Sequence, residues 1–194
     1  MKKKIVILLI ALLLVSSSLF ATVFQFGPVA ALPLPMDFDN PENMAEPFKH
    51  FDNYRFGADL RLSIPTKYVG VQFDVLGLLS FGDNVFRLET IPTVDLVLLS
   101  QMPVNITAGL GYDLNWAFGD NATVNGHEVS SIMDSLKNSP FVYRVGLNID
   151  AKIFGLGISY YMPTTASIAD ASLDNWKPDL SQGRISVSVF LLNF

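Results

Sequence analysis

Beyond residue 21, apolar and polar residues alternate along most of the chain. Tyr54–Ile64 is the clearest stretch: Tyr54, Phe56, Ala58, Leu60, Leu62 and Ile64 interleave with Arg55, Gly57, Asp59, Arg61 and Ser63. Successive side chains of a strand point to opposite faces, so this segment predicts a strand with one wholly apolar face and one charged or small. The same split recurs in Val69–Phe81, Phe86–Leu98, Val104–Phe118, Phe141–Ile153 and Leu156–Met162. Two more strands are expected at the ends. Thr22–Leu34 is interrupted by Pro28, and Arg184–Phe194 changes phase. In the latter, Ile185, Val187 and Val189 share one face and Phe190, Leu192 and Phe194 the other, which a bulge near Val189 would reconcile.

The connections alternate in length. Pro65–Lys67, Leu99–Pro103 and Phe154-Gly155 are short. Pro33–Asn53, Gly119–Pro140 and Pro163–Gly183 are long, and lie on the opposite side with the brief turn at Asn84. Eight strands of about ten residues, with short turns at one end and long loops at the other, are the plan of a small outer-membrane barrel. The expected fold is therefore all-β: an eight-stranded antiparallel transmembrane β-barrel, with both chain ends on the periplasmic side.

The chemistry of the two faces decides which of them meets lipid. The polar face carries Arg55, Arg61, Arg87, Arg144 and Lys152 against Asp59, Asp74, Glu89, Asp95, Asp113 and Asp150. Cations and anions nearly cancel there, as a sealed lumen requires, because an unpaired buried charge costs several kcal/mol. The apolar face of the same strands holds no charge. Aromatic residues gather at strand ends, as the two interfacial girdles of a barrel do. Tyr54, Phe56, Phe81, Phe86, Trp116, Phe118, Phe141, Tyr143 and Tyr160 fall near the long loops, and Tyr68 and Phe154 near the short turns.

Composition narrows the class further. Half of the 194 residues are apolar and only 16% are charged. The net charge is −5, and Lys2, Lys3 and Lys4 are among the few cations. With no basic stripe, nucleic acid is not an expected partner. The absence of cysteine excludes disulfides, thiolate metal sites and cysteine nucleophiles. Basic Met1–Lys4, apolar Ile5–Val15 and small, polar Ser16–Ala21 have the layout of a secretory signal. Residues 1–21 are read as that signal and 22–194 as the barrel domain.

The chain closes on Phe190-Leu191-Leu192-Asn193-Phe194. A terminal phenylalanine after alternating apolar residues resembles the assembly signal of bacterial outer-membrane barrels, carried here by Phe190, Leu192 and Phe194. The mature chain as a whole resembles the small OmpA/OmpX/OmpW-like class. That resemblance implies residence in the outer membrane, contact with its lipid, and recognition by the barrel-assembly machinery during insertion. Pro92 departs from the pattern, because it removes a ladder hydrogen bond within a strand, and it predicts a bulge.

The loops are acidic. Asp37, Asp39, Glu42, Glu46 and Asp52 oppose Lys49; Asp120, Glu128 and Asp134 oppose Lys137; Asp170, Asp174 and Asp179 oppose Lys177. Solvated loops explain this excess. A weak divalent-cation site at Asp37, Asp39 and Asn40 is the sharper alternative, although the spacing is not that of an EF-hand. Val129–Lys137 has the composition of a short helix. His127, Glu128 and Ser130 are the nearest approach to a catalytic cluster, but no nucleophile elbow or metal motif accompanies them. The expectation is a non-enzyme without catalytic residues, cofactor or metal, whose lumen is filled by side chains. Its role is structural, or lies in meeting an unidentified surface ligand through the loops. The alternatives are a narrow conduit for small or apolar molecules, with Leu76, Leu78, Ile91, Val97 and Tyr161 lining an apolar pocket, and a soluble periplasmic ligand-binding barrel.

Overall fold

A computed structural model of the chain describes residues 23–37, 40, 44–66, 68–82, 85–118, 123–151 and 154–193, with the side chains at 81, 82, 85–87, 117, 118 and 193 left out. The expected signal segment, Phe194, Lys152 and the side chains of Phe81, Phe86, Arg87 and Phe118 thus lie outside what is described.

Among the described residues there are twelve strands: β1 (Val23–Pro33), β2 (Arg55–Ile64), β3 (Val69–Gly82), β4 (Val85–Leu98), β5 (Val104–Tyr112), β6 (Leu114–Phe118), β7 (Thr123–Val124), β8 (His127–Glu128), β9 (Pro140–Asp150), β10 (Gly155–Ser167), β11 (Arg184–Phe190) and β12 (Leu192–Asn193). β5 with β6, and β11 with β12, each act as one stave, giving eight antiparallel staves in the sheet. β1 pairs β2 on one side and β11 and β12 on the other, so the sheet closes on itself as a barrel. Closure removes the free edges that would otherwise expose unpaired backbone groups.

The alternation sets the faces as the pattern predicts. Leu60, Leu62, Phe73, Val75, Val94, Leu96, Ile106, Leu110, Leu147 and Val187 are exposed on the outside of the barrel. Asp59, Arg61, Asp74, Asp95, Thr107 and Arg144 are buried within it. The interior is layered. Reading β4 from the long-loop end gives Glu89, then Ile91, then Asp95. Arg55, Glu89, Asp113 and Arg184 form the upper ionic layer. Val29, Ala31, Leu76, Leu78, Ile91, Val142 and Tyr161 form one buried apolar cluster beneath it. A second ionic layer, built on Arg61 and Arg144, lies below that.

Several expectations are corrected. Leu76, Leu78, Ile91 and Tyr161 do not line a pocket: each is fully buried, Leu76, Leu78, Ile91 and Tyr161 being packed in the same cluster. Val97, by contrast, borders a lower void of about 40 Å³. Pro92 causes no bulge, since β3 and β4 keep one register from Val69↔Leu98 to Gly82↔Val85. Its effect falls on the other neighbour. β4 pairs β5 through Thr93↔Gly111 and β6 through Thr90↔Leu114, and the ladder is interrupted between them, opposite Pro92. The register is the same on both sides of the gap, so the missing N–H opens the ladder without shifting it.

The last stave does switch phase, but at Leu191 rather than Val189. β1 pairs β11 through Val29↔Ser188 and β12 through Phe26↔Leu192, which leaves one extra residue on the C-terminal side. Phe190 is therefore fully buried while Leu192 is exposed, so the two do not share a face. Gly27 accommodates the bulge: a Cβ there would lie 1.8 Å from the Val189 carbonyl oxygen. β10 runs on to Ser167, beyond the expected end at Met162, with a register irregularity against β9 between Pro163 and Ser167.

Candidate functional site

Inside the lower ionic layer, Arg61 donates from Nε to Asp74 (2.7 Å), from Nη1 to Asn148 (2.6 Å) and from Nη2 to Asp59 (3.0 Å). Its guanidinium lies over the Phe190 ring, 4.2 Å from the centroid. The buried phenylalanine thus serves as a lid for a buried cation. Gly157 gives the guanidinium its room, since a Cβ at that position would meet both terminal nitrogens at 2.5 Å. Arg144 bridges Asp74 and Asp95 with Nη1 (2.8 and 2.5 Å) and donates from Nε and Nη2 to Ser159. Below this layer, Asp150 accepts from Gln25 and from Asn105, each at 2.7 Å.

The upper layer differs in being open on one side. Glu89 is shared by Arg55 and Arg184, and Arg184 also donates to Asp113 at 2.6 Å. These four residues floor a vestibule of about 320 Å³ at the long-loop end. Its walls include Asn115, Asn125, Thr164, Asp179 and Gln182. The loops build it in a way the local sequence explains. Asn125-Gly126, both with positive φ, turns the β7–β8 hairpin, as Asn-Gly does in tight hairpins. The hairpin brings buried Val124 and Asn125 to the wall, where Asn125 donates to the Thr165 carbonyl at 3.3 Å. Asp179 accepts from the Ser181 backbone and hydroxyl and from Gln182, which fixes the segment crossing the opposite side.

Among the charges assigned to the lumen from sequence, Arg55, Asp59, Arg61, Asp74, Glu89, Asp95, Asp113, Arg144 and Asp150 are all found facing the interior, Arg55 and Asp150 less deeply than the rest. Arg87 and Lys152 lie outside the described side chains. Arg184 was not assigned there. The signal was present in Arg184-Ile185-Ser186-Val187-Ser188-Val189, whose alternation places Arg184 with Ser186 and Ser188. The phase change that follows obscured it.

The aromatic positions are less uniform than a girdle implies. Phe56 is exposed, stacks with Tyr54 and meets Phe51 at a tilt along one side of the upper rim. Tyr68 and Phe154 are exposed at the short-turn end. Trp116 and Tyr143 are half-buried. Phe141 lies between Trp176 and Tyr112, with centroids 4.6 and 4.9 Å away. Tyr160 is no girdle residue. The loops fold over it, and its hydroxyl donates to the Leu34 carbonyl at 2.9 Å.

Several of the described acidic loop residues make local hydrogen bonds or ion pairs. Asp37 accepts from the backbone and side chain of Asn40, while Asp39 lies outside the described residues. Glu46 pairs with Lys49, whose ammonium holds its carboxyl below the usual carboxylate range. The expected short helix is α1 (Ile132–Asn138), capped by Ser131. Ser130 donates to Asp134 at 3.1 Å, while His127 and Glu128 are both exposed on β8. The three are not assembled around a common point.

No family model matches the chain, and no curated protein matches it. Among solved structures, the chain is similar to the crystal structure of Neisserial surface protein A (NspA), at 10% identity over 87% of this chain and 93% of that one, with a TM-score of 0.43.

Proposed function

We propose that this chain is an outer-membrane barrel whose lumen is closed by its own side chains, and that it acts as a structural or surface-interaction protein through its long-loop end. One observation carries the reading: the barrel is inside out relative to a water-soluble one. Its exposed strand face is apolar and, among the described residues, free of charge, while its ionic groups are buried. Soluble proteins rarely expose contiguous apolar patches beyond a few hundred Å². Hydrocarbon is the solvent in which this surface is stable. A water-filled lumen would instead leave the interior arginines and carboxylates hydrated, whereas Arg61, Asp59, Asp95 and Arg144 are almost wholly buried.

In this reading, outer-membrane lipid is the main partner and the barrel-assembly machinery is needed once, at insertion. The loops supply whatever contact the protein makes with its surroundings. No catalytic role is assigned.

The test has two parts. Membranes expressing the chain are extracted with and without detergent, and the extract is run on gels boiled and unboiled. The expected result is release only by detergent, with a compact band that shifts on boiling. Purified protein in planar bilayers is expected to show no steady unit conductance. Release into plain buffer would overturn the membrane assignment. Reproducible unit conductance would overturn the closed lumen and favour a narrow conduit.

A further inference from the structure

The vestibule has unspent valences of both signs. Asp113 is nearly fully buried, yet its Oδ1 has no hydrogen-bond partner, the Arg184 contact being made through Oδ2. Among the described residues, Arg55 is engaged through Nη1 alone, by Glu89, and its side chain remains 27% exposed. A guanidinium has five N–H donors, so most of its capacity is free. The neutral amide donors in the wall are each engaged by one bond within the wall. The side-chain nitrogens of Asn115, Asn125 and Gln182 bond to Asp113 O, Thr165 O and Asp179 Oδ2. Among the described side chains, the lining carries Glu89, Asp113 and Asp179 against Arg55 and Arg184, and is therefore slightly acidic. Its volume of about 320 Å³ is at the small end of ligand pockets, roughly 300–1,000 Å³.

A simple anion fits poorly, because Arg184 is held between two carboxylates and the surplus charge is negative. A simple cation would use the acceptor side and leave the Arg55 donors unpaired. We propose that the vestibule binds a small zwitterion of amino-acid size, its carboxylate meeting the Arg55 guanidinium and its ammonium lying on the Asp113–Asp179 side. Such a ligand satisfies both kinds of unspent group and leaves the site's net charge unchanged. The proposal concerns the open end of the barrel only, and holds whichever solvent surrounds the staves.

The experiment is calorimetric titration of the chain folded in detergent micelles. The probes are ω-amino acids from glycine to 6-aminohexanoate, with n-butylammonium and butyrate as single-charge controls. At least one ω-amino acid is expected to saturate a single site, at least tenfold more tightly than either control. Arg55→Gln, at the half-buried floor position facing the opening, is expected to weaken that binding tenfold or more while the unboiled band stays compact. Asp113→Asn is expected to do the same. If that variant does not give a compact band, Arg55→Gln and the two controls decide alone. Three results would overturn the proposal: no saturable binding by any ω-amino acid, a control binding as tightly as the best of them, or binding indifferent to Arg55→Gln.

Discussion

At the scale of single residues, the side chain's position in the two-residue repeat decides its solvent. Leu60 and Arg61 are neighbours in sequence, yet one is exposed on the outside and the other has no exposed surface. The consequence is testable. Leu60→Arg or Ile106→Arg places a charge on the outer face, where in hydrocarbon it costs roughly 2–4 kcal/mol near the midplane. Both variants are expected to reduce the heat-shiftable, membrane-inserted fraction, read by comparing boiled and unboiled membrane extracts. Leu60→Val is expected to leave it unchanged. Most of the lumen charges were legible from alternation alone because charge and face coincide so strictly here. Tyr160 was not. Its parity puts it outside, as expected, but only the folded loops determine that Leu34 and Leu180 cover it.

At the scale of elements, the strands were legible and their interruptions were not. Pro92 announced a disturbance, but a sequence does not say which of two neighbouring strands loses the hydrogen bond. The structure places the gap on the β5–β6 side. Closure depends on the bulge at Leu191 fitting against Gly27. Gly27→Ala is expected to lower the folded fraction and the temperature at which the compact band is lost, because the added carbon meets backbone rather than a movable side chain. Phe26→Leu, on the outward face next to it, is expected to change neither.

Among the loop elements, α1 offers a pH prediction. Ser131 and Ser130 both donate to Asp134, and these bonds hold its carboxyl below the usual range. A carboxyl depressed in the folded state contributes stability that is present above its unfolded pKa and is lost as pH falls through the folded one. Amide hydrogen exchange of residues 132–138, corrected for the intrinsic pH dependence, is therefore expected to show less protection in acid than at neutral pH. Ser131→Ala, which removes the cap as well, is expected to lower protection at both.

At the scale of the molecule, the proposed closed lumen would rest on two interior layers in series. The apolar cluster around Leu76, Leu78 and Tyr161 separates the vestibule from the layer of Arg61 and Arg144. That lower layer is held mainly by its own hydrogen bonds, the cluster adding the Tyr161 ring 5.7 Å from the Arg144 guanidinium. Leu78→Ala with Tyr161→Ala is therefore expected to leave the protein silent in planar bilayers. Steady conductance in that double variant would show that the apolar cluster is the only barrier.

What the sequence determined by itself was periodic. The two-residue repeat gave the strands, their faces and the uncharged outer surface, because a strand's side-chain direction is a local property of the backbone. The alternation of short and long connections gave the antiparallel order. Tertiary structure decided what depends on closure: which of the many lumen charges meet, that Arg184 joins Glu89 and Asp113 from a stave distant in sequence, and that Leu76, Leu78, Ile91 and Tyr161 fill one packed layer. The vestibule belongs to this second kind. Its floor comes from β2, β4, β11 and the junction of β5 with β6, and its wall from a hairpin, a loop segment and the upper ends of β6 and β10, so no local pattern could have assembled it.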